Sequence, residues 1–173
     1  MIVMPGQGMS AIRFGATPET VRRHMGTDCD QKSENHCLYI DKAVEFFFEE
    51  GTLNKILIHR RNHRVPNTKA PIRKFGLFYG YIPPDIRPGL HRKVVLEEFG
   101  APTRVEKLSQ PTADGTIEKH YYDGIILSYD RLENGNIVLS ALEVIPSKTA
   151  KDPYGVITKK KIEDTPLKKY LEQ

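Results

Sequence analysis

Two stretches of this chain, 74 residues apart, follow one plan. Ile12-Arg13-Phe14-Gly15, Val21 and Met25-Gly26 line up with Ile86-Arg87-Pro88-Gly89, Val95 and Phe99-Gly100. In both copies Gly-x5-Val-x4-Gly runs without a gap. Further on, Tyr39-Ile40-Asp41 answers Tyr121-Tyr122-Asp123, and Gly51-Thr52-Leu53 answers Gly135-Asn136-Ile137. A repeat of this kind constrains the fold before any local reading, because a supersecondary unit used twice must bury its apolar face twice. Duplicated small units more often build a binding surface than a single catalytic pocket.

Each copy opens on a helix signal. Thr17-Pro18-Glu19 offers a capping hydroxyl, a proline suited to the first helical position and an acid at the positive end of the dipole. Val21 and Met25 are four apart, and Gly26 is placed to stop the helix, which the spacing puts at about Pro18–Met25. In the second copy Leu90, Val94, Val95 and Phe99 share a face and Gly100-Ala101-Pro102 ends it. Strand signals follow in both. Leu38–Ile40, Ala43–Phe48 and Lys55–His59 are answered by Glu118–Tyr122, Ile125–Tyr129 and Ile137–Ile145. The turns are Glu49–Thr52, Asp123-Gly124 and Glu133–Asn136. The expected class is therefore α+β: two tandem helix-plus-antiparallel-sheet units of about four strands each. Residues 1–60 form the first unit, 61–84 a basic and aromatic connector, 85–146 the second unit and 147–173 a lysine-rich tail.

The repeated phrase, apolar-x-(apolar or Pro)-Gly followed by Val and a second Gly, then tyrosine strands and a Gly-x-apolar hairpin, resembles the β-lactamase-inhibitor-protein-like fold. That fold is shared with small outer-membrane assembly lipoproteins of the SmpA/OmlA type. The resemblance spans about 12–58 and 86–145. It implies a helical segment on one face of a four-stranded antiparallel sheet, twice in tandem. Asp28 stands where the pattern has proline, and Pro88 interrupts the second copy.

Composition is that of a globular protein, 39% hydrophobic and 28% charged. No run approaches the ~20 apolar residues of a membrane span. The start, Met1–Gly6, lacks the basic and apolar regions of a signal peptide. Cys29 and Cys37, the only two cysteines, do not make a disulfide framework and fit a reducing compartment, so the expected location is cytoplasmic.

The net charge of +4 is uneven. Residues 51–84 carry seven Lys or Arg and no acid, and 147–173 carry seven lysines against four acids. The two repeat units are thus acidic and the unrepeated segments basic. Within the connector, Phe75–Ile82 packs four aromatics into seven residues, which predicts a strand or a wedge between the units rather than a solvated run.

The candidate sites divide by chemistry. His24, Cys29, His36 and Cys37 are metal-competent, but their spacing does not match tetrahedral zinc sets, leaving structural roles first and a Cys29–Cys37 link second. His59 and His63 with Arg60, Arg61 and Arg64 form a basic cluster that reads as a solvated loop or a contact for an acidic partner. Asp28, Asp30, Asp41 and Asp123 are catalytic candidates only by residue type, and Asp41 and Asp123 sit in turns that favour Asp. No nucleophile elbow, metal-protease or phosphate-loop phrase is present. The expected function is a non-enzymatic protein-binding module, most concretely a cytoplasmic inhibitor or immunity-type protein that occludes an acidic partner. It has no catalytic residue, metal or cofactor, and Arg60, Arg61, Arg64, Arg73 and Tyr79 are its contact residues. The alternative is a nucleic-acid-binding accessory protein using the same basic connector.

Overall fold

The computed structural model describes residues 1–59, 75–112 and 114–149. Their elements, in chain order, are β1 (Val3–Met4), β2 (Gly8–Met9), β3 (Ile12–Arg13), α1 (Pro18–Met25), β4 (Gln31–Ser33), β5 (His36–Tyr39), β6 (Val44–Glu49) and β7 (Thr52–His59). Then come α2 (Arg92–Phe99), β8 (Arg104–Lys107), β9 (Glu118–Tyr122), β10 (Ile125–Arg131) and β11 (Ile137–Val144).

Helix α1 forms where its signals place it. The Thr17 hydroxyl accepts from the Thr20 amide at 3.3 Å, Pro18 takes the first turn, and Gly26 closes the last with a left-handed φ of 77°. Val21 and Met25 are its buried residues, each worth about 1.5–3 kcal/mol in apolar burial. Helix α2 starts two residues later than Leu90 suggests. Leu90 is held outside it: its carbonyl accepts from the Leu139 amide at 2.8 Å, and Gly89 donates to the Leu139 carbonyl at 2.7 Å.

Strands dominate, and they form one large sheet in the order β4-β5-β6-β7-β11-β10-β9-β8, antiparallel throughout, beside a small β1-β2-β3 sheet. This overturns the expected α+β class of two helix-plus-sheet units. Among the described residues the helices are two of eight residues each, and the strands expected of two units run in one large sheet without a break. The junction is the β7–β11 pairing, which sets His59 opposite Ala141 and Ile56 opposite Val144. The physical reason is the hydrogen-bonding demand of an edge. Left apart, β7 and β11 would each be an eight-residue edge strand with a row of unpaired backbone groups. Pairing satisfies both rows at once.

Tight turns keep the meanders in register. Glu50 and Gly51, with φ of 49° and 74°, join β6 to β7 in the doubly left-handed geometry that suits the twist of a hairpin. One face of the sheet holds the core: Val44, Phe46, Ile56, Ile58, Ile125, Leu127, Leu142 and Val144 are buried there with Val3, Met9, Ile12, Phe14, Val21 and Val95 from the small sheet and the helices. By alternation, Phe47, Lys55, Leu57, Lys119, Tyr121 and Ile126 lie on the other face, all half-buried.

Candidate functional site

The aromatic run from Phe75 to Ile82 does not wedge between two units. It runs alongside β1. The Met1 amino group donates to the Tyr79 carbonyl at 2.7 Å, Tyr81 donates to the Met1 carbonyl at 3.1 Å, and Val3 donates to the Tyr81 carbonyl at 2.9 Å. Ile2 and Tyr81 form a parallel bridge. Gly80 makes this approach possible, since a Cβ there would lie 2.4 Å from the Met1 carbonyl oxygen. At the near end the Gly76 amide donates to the Ile40 carbonyl at 2.8 Å, tying the segment to the β5–β6 turn.

Extended backbone sorts these side chains by parity. Phe78 and Ile82 point into the core. Leu77, Tyr79 and Tyr81 point out, with Tyr79 76% exposed, and Met1 and Ile2 are exposed beside them. Five of the seven large exposed hydrophobic side chains among the described residues therefore belong to this ladder and to Leu77 just before it. The expectation that this run escapes solvent holds for alternate residues only. The backbone at Tyr79 and Tyr81 is fixed by hydrogen bonds, so the ordering cost left for binding is that of the side chains.

A second cluster lies on the open face of the sheet. Glu45 is buried, and its two carboxylate oxygens meet His59 Nε2 at 2.9 Å and His36 Nε2 at 3.0 Å. His59 stacks flat on Phe75, centroids 4.1 Å apart and planes 2° from parallel, and His36 tilts against Phe47 at 5.0 Å. Burial pushes the Glu45 carboxyl up, but the hydrogen bonds from His59 and His36, with their charge, outweigh it and bring the group down to about 2. The arrangement holds one carboxylate charged and oriented by two imidazoles. Among the described residues no group of three or more His, Cys, Asp or Glu is placed to hold a metal ion.

Of the expected contact residues, Tyr79 stands at the centre of the exposed ladder, while Arg60, Arg61, Arg64 and Arg73, like His63, lie outside the described residues. The Cys/His set does not act together. Cys29 and Cys37 are joined in a disulfide, which corrects their reading as reduced thiols, and His36 turns to Glu45 instead. The aspartates serve structure: Asp28 pairs with Lys32 at 2.9 Å, Asp30 accepts from the Ile40 amide at 2.6 Å, and Asp123 accepts from the Lys148 amide at 3.0 Å. The sequence reading missed Met1 and Ile2 as neighbours of Tyr79, and it missed Glu45 with its histidines. Neither grouping has a sequence signal, because each depends on which strands pair and in what register.

No protein-family profile, curated protein or solved structure matches this chain. The resemblance to the inhibitor-protein-like fold therefore rests on the repeated sequence phrase alone.

Proposed function

We propose that this chain is a protein-binding module, of inhibitor or immunity type, that covers a partner with the exposed ladder of Leu77, Tyr79, Tyr81, Met1 and Ile2. The observation that carries this reading is the clustering of exposed apolar side chains on a hydrogen-bonded ladder. Exposed apolar side chains gathered on neighbouring backbone segments are a feature of interaction surfaces, and Tyr is among the residues that dominate interface energy. The basic segments 51–84 and 147–173 favour a partner whose rim is acidic. The reading assigns no chemistry to the chain and needs no cofactor. Among the described residues no helix is long and apolar enough to cross a membrane. The bonded Cys29–Cys37 pair favours an oxidising compartment over the cytoplasm expected from the sequence.

The test is affinity capture with the wild-type chain and with a Leu77→Ser/Tyr79→Ala variant, followed by titration of the purified partner. Loss of the Tyr79 contact is expected to weaken binding by about 30-fold, corresponding to about 2 kcal/mol. A partner that binds both chains equally well would remove the ladder from its role. Binding to nucleic acid at low salt that collapses steeply as salt rises would replace this reading with the nucleic-acid one.

A further inference from the structure

The large sheet ends in two edge strands built on different lines. At one end β4 exposes only Gln31, Lys32 and Ser33; Lys32 is paired with Asp28, and the Cys29–Cys37 bond ties the segment to β5. Short length, polarity and lysine are the features that keep an edge from pairing. At the other end β8 displays Val105, 46% exposed. The Leu108 amide donates to the Ile117 carbonyl at 2.9 Å within the β8–β9 register, so Arg104 and Glu106 turn their backbone groups toward β9. Val105 and Lys107 then turn theirs outward. Among the described residues no strand takes them up.

We infer that two copies of this chain associate through β8, antiparallel about a two-fold axis at Val105, so that the sheet continues from one copy into the other. The strand is self-complementary in this register. The outward amide and carbonyl of Val105 meet those of its counterpart as a hydrogen-bonded pair. Val105 lies against the second copy's Val105 on one face. On the other face Arg104 opposes the second copy's Glu106, twice by symmetry. The direction of the backbone groups excludes shifts that would set Val105 against Glu106 or Arg104. Registers centred on Arg104 or Glu106 put like charges face to face, and the former also needs the Thr103 amide, which already donates to the Tyr121 carbonyl at 2.9 Å. The Val105-centred register joins the outward groups of Val105 and meets the apolar and charge conditions, while the Thr103 amide beside Lys107 stays with the Tyr121 carbonyl of its own chain at 2.9 Å. This surface is separate from the Tyr79 ladder, and its partner is the chain itself.

The test is a crosslink. With Cys29 and Cys37 already bonded, Val105→Cys introduces a lone thiol. The two-fold axis brings its Cα about 5.5 Å from its counterpart, within disulfide range. Mild oxidation is expected to yield a covalent dimer at least tenfold faster than for Lys107→Cys, whose residue opposes Thr103 rather than itself. Adding Arg104→Glu to Val105→Cys is expected to slow the crosslink, and adding Glu106→Arg as well to restore it. Equal rates for Val105→Cys and Lys107→Cys, or no response to the charge reversals, would overturn the proposal. Sedimentation velocity on chains without added cysteine gives a second reading. The wild type is expected to associate with rising concentration and Arg104→Glu to do so at least tenfold more weakly. A wild type that sediments as a monomer at every concentration also overturns it.

Discussion

Each half of the large sheet buries one glutamate beside histidine, and the two sites hold it with different partners. In the first half Glu45 lies on the face away from the helices, between His36 and His59. In the second half Glu118 lies on the helix-covered face. There Arg92 of α2 donates to it at 2.8 Å, and His120 hydrogen-bonds its other oxygen. Burial of a carboxylate is tolerated only when its charge is answered, and the partner chosen decides how the site behaves with pH. Imidazoles titrate in the physiological range, whereas a guanidinium stays charged. In the first half two imidazoles hydrogen-bond the two oxygens of the glutamate, and in the second a guanidinium takes one of them. The second site is also more deeply apolar. His120 packs on Tyr129 at 4.6 Å, and neither His120 Nδ1 nor the Tyr129 hydroxyl has a hydrogen-bond partner among the described residues. Burial pushes the Tyr129 phenol up, and the neighbouring Tyr122 phenol up to about 12.

The largest expected effect is at the arginine. Arg92→Met keeps an apolar stem but removes the charge, leaving Glu118 with His120 alone. Chemical denaturation at pH 8 should show a loss of about 3 kcal/mol, the order expected when one partner of a buried pair is deleted. Combining it with Glu118→Gln should recover part of that loss, because no uncompensated charge remains. If Arg92→Met costs less than about 1 kcal/mol, Glu118 is not held by Arg92 and the contrast between the halves fails.

The glutamate of the first half comes next, and its signature is pH dependence. The Glu45 carboxyl falls from an ordinary value of 4.5 to about 2 on folding, so the folded state favours the charged form. The stabilisation is fully present above about pH 4.5 and is lost as pH falls toward 2, amounting to about 2–3 kcal/mol. Glu45→Gln should lower stability at pH 7 and flatten the curve between pH 4.5 and 2. An acid limb as steep in Glu45→Gln as in the wild type would show that the histidines do not hold this charge.

What the sequence made legible follows the same division between local and long-range structure. The first helix was readable to the residue because Thr17, Pro18 and Gly26 act within one turn. The hairpins at Gly51 and Gly135 were readable because positive φ at a turn is a property of one or two residues. The start of α2 was misplaced because Leu90 is apolar and in phase, yet its carbonyl is committed to β11. The β7–β11 pairing has no local signature, and two separate units were expected where their strands join in one large sheet. Glu45 carries no signal of its own within the expected strand Ala43–Phe48, since only strand register brings His36 and His59 to it. The Cys29–Cys37 link ranked only second in the sequence because what closes it is the pairing of β4 with β5, which folds the eight-residue separation back on itself. Tyr79 was picked out by composition, but its exposure comes from the parity of a strand whose partner is the first three residues of the chain.

The smallest expected effect compares the two helices. Both have eight residues, but only α1 has a side-chain cap: Thr17 accepts from Thr20, whereas His91 at the start of α2 makes no side-chain cap bond. The first turn of α2 carries no acid either, so its exposed amides and the positive end of its dipole go unanswered by side chains. Thr17→Ala should therefore cost about 1 kcal/mol, and His91→Asp should gain about 0.5–1 kcal/mol by supplying a capping carboxylate. Both changes are readable as opposite shifts in thermal midpoint of about 2–4 °C. His91 also bridges backbone to Val138, so the gain depends on that bridge surviving the change. A loss of stability in His91→Asp would mean that α2 is set by its contact with β11 rather than by its own first turn, and that the two helices differ in what holds them and not only in their caps.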